Sequence, residues 1–157
     1  MKRILATMLC FATASVSMAG EWVFFVTTGE VGNKIQAIAY DRESISELDD
    51  GLNVWFAWVN SNPSLNYDLL LELKKIDCSQ KKLKLLQSAI YLRGQLVKSF
   101  NKERSWEYAI PGTVGEESVV ASCNRHVTSE TITTTSFTEL VKKGKKLIKE
   151  ARREESL

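Results

Sequence analysis

The run Leu52-Asn53-Val54-Trp55-Phe56-Ala57-Trp58-Val59 carries apolar side chains at both strand parities. Successive residues of a strand point to opposite faces, so such a strand has no face to offer water and belongs in the middle of a sheet. Asp49-Asp50-Gly51, a turn signal, launches it. The segments around it read as further strands. Trp22 to Thr28 is aromatic and β-branched and stops at Gly29; Lys34 to Asp41 alternates, with Ile38 and Tyr40 on one face and Ala37 and Ala39 on the other. Asp41-Arg42-Glu43-Ser44-Ile45 then leaves the pattern as a turn. After the loop 60–66 with its Pro63, Tyr67, Leu69, Leu71 and Leu73 alternate with Asp68, Leu70, Glu72 and Lys74 and run into Ile76-Asp77-Cys78. Lys82 to Leu92 and Leu96 to Phe100 flank Arg93-Gly94-Gln95, a hairpin turn in which glycine accepts positive φ. Trp106 to Ile110 is a last short strand stopped by Pro111-Gly112. Consecutive hairpins predict a single antiparallel sheet of about six strands.

Helices follow the strands. Thr113-Val114-Gly115-Glu116 has capping-box spacing and predicts a short helix to about Cys123, with Val119, Val120 and Cys123 on its apolar side. Residues 128–136 belong to a stretch, Thr128 to Thr138, with six Thr and two Ser in eleven positions, suited to a strand or a linker. In 137–157, Phe137, Leu140, Val141, Leu147, Ile148 and Ala151 recur at helical spacing, with Gly144 interrupting the stripe. The expectation is an α+β fold: a sheet domain over 20–127, then a basic amphipathic C-terminal helix packed on the sheet.

Residues 1–19 read as a removed export signal. Met1-Lys2-Arg3 is a positive start, Ile4 to Ala14 is mainly apolar, and Ser17-Met18-Ala19 has the small-x-small form of a cleavage site. The whole chain has 157 residues and a formal charge of +2, both units of which leave with Lys2 and Arg3. What remains is neutral, with 19 basic and 19 acidic groups, so composition gives no reason to invoke nucleic acid. The charge is nonetheless separated: residues 137–157 hold seven basic against four acidic groups, and residues 20–136 hold twelve against fifteen. Beyond the signal no apolar run approaches the ~20 residues of a transmembrane span. Cys10 follows Thr7-Met8-Leu9, where lipidation requires a small residue directly before the cysteine, which argues against a lipid anchor. Once Cys10 is gone, Cys78 and Cys123 are an even pair in an exported chain and are expected to form one disulfide.

Chemistry is constrained by what is missing. His126 is the single histidine and has no His/Cys/Asp/Glu cluster at metal-ligand spacing around it. No nucleophile elbow, dinucleotide fingerprint or P-loop occurs, and Asp49-Asp50 and Glu116-Glu117 read as a turn and a helix first turn. The expectation is a non-catalytic protein without cofactor or metal. Strand tryptophans are mainly core residues, so at least two of the four are expected to be buried. Trp55 and Trp58, three positions apart, should point to opposite faces, and the more exposed of them is a candidate contact residue. Lys142, Lys143, Lys145 and Lys146 are the other candidates, for an acidic partner or for peripheral contact with anionic lipid.

Trp22, Asp41-x-x-Ser44-Ile45, the Trp55/Trp58 strand, Ile76-Asp77-Cys78, Tyr91-x-x-Gly94, Trp106-x-x-x-Ile110-Pro111 and Glu116/Glu117 before Cys123 occur in an order that resembles the surface-adhesin protein E family of Gram-negative bacteria. The resemblance covers roughly residues 22 to 123. It implies a single antiparallel sheet with helix packed on it, and a disulfide carried on Cys78 and Cys123. It also implies a binding module, displayed or secreted, that engages a protein partner, with host extracellular-matrix proteins as the suggested class, through its sheet face or edge and its loops. A second reading stays open: a soluble periplasmic envelope protein of structural or accessory role.

Overall fold

A computed structural model describes residues 20–28, 36–62, 64–128 and 130–154. The expected signal segment 1–19, the turn at Gly29 and Pro63 lie outside the described residues. Within them the chain forms β1 (Gly20–Thr28), β2 (Gln36–Asp41), β3 (Ser46–Leu48), β4 (Gly51–Asn60), β5 (Leu69–Asp77), β6 (Lys82–Leu92), β7 (Gln95–Phe100), β8 (Glu107–Tyr108), α1 (Val114–Cys123), β9 (Thr131–Thr134) and α2 (Phe137–Glu154). All strand pairs are antiparallel, in the order β7-β6-β5-β4-β2-β1-β9, with β3 beside β4 and β8 beside β6. Thus β4 is central, as its two apolar faces require. The α+β class holds, but the described residues contain nine strands and not six. The pieces beyond the expected strands are short: β3 and β9 span three and four residues, and the expected strand at 106–110 contracts to the two residues of β8. Alternation over so few positions is no signal, and these pieces are strands only because a neighbour pairs with them.

Asp41-x-x-Ser44-Ile45 is a structural device. The Asp41 carboxylate accepts the Glu43 N–H (3.1 Å), opening a 3-10 turn over Arg42–Ser44. That turn separates β2 from β3, which pair with the same side of β4. Ser44 Oγ donates to the Asp41 carbonyl (2.8 Å) and accepts the Trp55 N–H (3.1 Å), so the gap between β2 and β3 leaves this strand amide satisfied. At the next turn Gly51 has φ +139°, and a Cβ there would stand 2.3 Å from the Ile76 carbonyl oxygen, which leaves no room for another residue.

The helices cover opposite faces of the sheet. On one face Leu140, Val141 and Ile148 of α2 pack with Trp22, Phe24, Ala39, Ala57, Val59, Leu69 and Leu71. On the other, Val119 and Ala121 of α1 pack with Val23, Tyr40, Val54, Phe56 and Ile76. The alternation read for β2 is realised: Ala37 and Ala39 face α2, and Tyr40 faces α1. The apolar side expected for α1 holds for Val119 and Cys123 and is corrected for Val120, which is 43% exposed while Ser118 and Ser122 are buried. Those serines satisfy their hydroxyls within the helix, donating to the carbonyls of Val114 (2.7 Å) and Ser118 (2.8 Å), so a small polar stripe lies against the sheet without orphaned donors. The capping box is also altered. Thr113 Oγ1 donates back to the Ile110 carbonyl, and the Glu116 carboxylate accepts the Gly112 N–H, one residue earlier than reciprocal capping requires. Cys78 and Cys123 form the expected disulfide, with Cα atoms 5.8 Å apart, tying α1 to the end of β5. The Thr-rich segment is not a free linker: β9 pairs with β1 from Gly20↔Thr134 to Val23↔Thr131.

Candidate binding surfaces

Trp55 and Trp58 point to opposite faces, as three-residue spacing in an unbroken strand demands. Trp55 joins the margin of the α2-covered cluster. Trp58 lies on the other face, with the Lys74 ammonium 4.9 Å from its ring centroid and 5.2 Å from that of Phe56; Lys74 is paired with Glu72 at 3.0 Å. Its indole N–H is enclosed without an acceptor among the described residues. Only Trp22, 1% exposed, is fully buried, so the expectation of at least two buried tryptophans is corrected. Trp55, Trp58 and Trp106 are half-buried. Trp106 lies at the β8 rim under the Lys82 and Lys84 ammonium groups, each 5.0 Å from its ring.

A second surface was not legible in the sequence. Leu92, Leu96, Val97, Phe100, Tyr108 and Ile110 are all exposed along the β6–β7–β8 rim. Alternation is read on the assumption that one face is buried, and β7 buries neither. The rim is poorly suited to adding another strand, because the register shifts where Ile90/Tyr91 pair with Lys98/Leu96, looping out Val97, and Lys98 stands mid-strand. Both features blunt an edge, so this rim offers side chains more than backbone hydrogen bonds.

The lysines of α2 divide. Lys143 pairs with Glu130, and Lys146 with Glu150 at 3.5 Å one turn along the helix. Lys142 and Lys145 instead border a cleft of about 530 Å³ between α2 and the β6–β7 hairpin, together with Arg93, Asp68 and Val141. Asp68 accepts the Arg93 N–H (3.0 Å) and so fixes the hairpin tip against this cleft. Arg93 escapes sequence reasoning because it is 49 positions from Lys142 and the tertiary fold alone brings them together. The tryptophan and lysine candidates do not converge on one site.

One acid is electrostatically anomalous. Burial pushes the Asp41 carboxyl up to about 6, and the backbone N–H groups of Glu43 and Ser44 offset only part of that rise. The folded value lies above the unfolded value near 3.8, so Asp41's contribution is fully present below about pH 4 and is lost as pH rises through about 6. Asp41→Asn removes the buried charge and keeps an acceptor for Glu43. The variant is expected to match or exceed the original stability at pH 7.5 by about 1–3 kcal/mol, a gap that closes towards pH 4. Denaturant melts at the two pH values check this, and a variant less stable at pH 7.5 would contradict it.

Among the described residues there is no group of three His, Cys, Asp or Glu side chains able to hold a metal, and no helix long and apolar enough to cross a membrane. Compared with known proteins, the chain matches the family model described as surface-adhesin protein E over residues 25–124, from β1 through the end of α1. No curated protein and no solved structure matches it.

Proposed function

The chain belongs to the surface-adhesin protein E family, and from that premise we propose that it is an exported, non-catalytic binding module that engages protein partners, host extracellular-matrix proteins among them. The observation that carries this reading is the extent of the family match, which runs from within β1 through β8 and includes the disulfide and α1. The exposed apolar rim supports a place for contact. Leu96, Phe100, Tyr108 and Ile110 lie at one side of the sheet, where ordinary solvation offers no reason to group them. Half-buried Trp58 is a second contact candidate, through its ring beside Lys74 on the Phe56 side of β4.

The test is surface binding of the purified chain to a panel of matrix proteins. Retention above an albumin control, reduced in Phe100→Ser/Ile110→Ser, is the expected result. No retention on any matrix protein would refute host-matrix binding. Protease treatment of intact cells separates display from an envelope role, since a protein untouched by protease until the outer membrane is opened would belong to the periplasmic reading.

A further inference from the structure

We propose that the cleft between α2 and the β6–β7 hairpin, continued along α2 by Lys149 and Arg152, holds an extended acidic peptide segment of a protein partner; this rests on the binding-module reading and assigns that module a second contact surface. Lys142, Lys145, Lys149 and Arg152 follow one another at i, i+3, i+7 and i+10 and share one side of the helix. They form a line about 15 Å long at 1.5 Å per residue. Arg152 donates to Ser61 Oγ (3.1 Å), which places this side of α2 along the loop that follows β4. At the other end Arg93 closes the line from the hairpin, held by Asp68.

Charge complementarity selects the ligand. Lys142, Lys145 and Lys149 have no ion-pair partner among the described residues, in contrast to Lys143 and Lys146 on the same helix. Among the described residues Asp68 is the one acidic group bordering the cleft, against three cations. The cleft walls are nonetheless largely apolar, with Val141 among the lining residues, so the site fits a ligand that joins anionic groups to an aliphatic one. An acidic peptide with an apolar residue among its carboxylates has both, and at about 3.3 Å per residue four or five extended residues span the line. A membrane surface fits less well. The apolar side of α2 is turned to the sheet through Leu140, Val141 and Ile148, and Val141 reaches only the floor of a concave cleft, so the helix presents no apolar face outward to an acyl layer. The family match ends at residue 124, so the α2 side of this surface lies outside the matched region and the hairpin side, with Asp68 and Arg93, inside it.

The test uses two acetylated and amidated pentapeptides, Glu-Glu-Leu-Glu-Glu and Gln-Gln-Leu-Gln-Gln, titrated into the isotope-labelled protein and followed by backbone amide shifts. Saturable shifts confined to the neighbourhood of Arg93, Gly94, Thr138 and the Lys142, Lys145, Lys149 and Arg152 side of α2 are expected with the glutamate peptide and not with the glutamine one. Affinity should fall about tenfold in Lys142→Gln/Lys145→Gln, whose exposed positions leave the melt unchanged. Equal response to both peptides, or shifts spread over every lysine, would overturn the proposal. So would cosedimentation with phosphatidylglycerol vesicles in the absence of peptide binding. The same variant in the matrix-protein assay separates the two readings. Undiminished matrix binding removes this surface and leaves the module, whereas peptide binding with no matrix binding removes the matrix assignment and leaves the surface.

Discussion

Gly144→Ala is expected to destabilise the folded chain, although the same change in a solvated helix favours the helix by ~1 kcal/mol. Sequence periodicity reads Gly144 as an interruption of the α2 stripe. In the fold it is buried, and the helix backbone there lies directly against Val59 of β4. A Cβ at Gly144 would stand 2.7–2.8 Å from the Cβ and both Cγ atoms of Val59. Val59 is fully buried and β-branched, with little rotamer freedom to yield. The helix must therefore lift, loosening Leu140, Val141 and Ile148 from the cluster that contains Trp22. Overpacking of this kind costs about 1–3 kcal/mol. Gly144→Leu should cost more, and a denaturant midpoint unchanged or raised in Gly144→Ala would show that α2 does not seat this closely. The double variant Gly144→Ala/Val59→Ala supplies the check: if the contact is the cause, the two changes are strongly non-additive and the second recovers part of the loss.

Breaking the disulfide is expected to have the largest effect. Cys78 and Cys123 are 45 positions apart, and closing a loop of that length restricts the unfolded chain by roughly 4 kcal/mol in the chain-entropy description, with measured losses in the range of about 2–5 kcal/mol. The effect should also be local. The described apolar contacts of α1 with the sheet core centre on Val119 and Ala121, its buried stripe includes two serines, and its outer side exposes Val120. In Cys78→Ala/Cys123→Ala, amide exchange in α1 should accelerate more than exchange in β4 and β5. The Phe25, Tyr40 and Phe56 rings, whose centroids lie 6.1–6.4 Å apart, should keep the underlying sheet face packed. A melt identical with and without reductant would contradict the stabilising role.

Much of the strand framework was legible because it rests on local signals. The two apolar parities of Leu52 to Val59 put β4 in the centre, and the β2 alternation sorted Ala39 from Tyr40. The Arg93-Gly94 turn closed its hairpin with φ values of 52° and 77°, the backbone that a two-residue turn between antiparallel strands requires. The helix α1 was legible in extent and, through Val119 and Cys123, in the side it turns to the sheet, but not in the position of Val120. Buried serines that bond their own helix carbonyls look, in a sequence, like a polar face turned to water, so Val120 was assigned inward in their place.

Residue order alone therefore determined that this chain builds an antiparallel sheet around β4, that an amphipathic basic helix follows it, and that Cys78 and Cys123 are the pair available for a bridge. These are consequences of side-chain period and composition, which act over a few neighbouring residues. The tertiary structure decided what no such period encodes: that α1 and α2 take opposite faces, that β3 becomes a strand and the Thr-rich segment pairs as β9, and that Gly144 is a seat for Val59. It also brings Arg93 beside Lys142 and Lys145. Each of these depends on two segments far apart in the chain meeting at a particular distance, and that distance is fixed by how the whole sheet pairs and what its faces must cover.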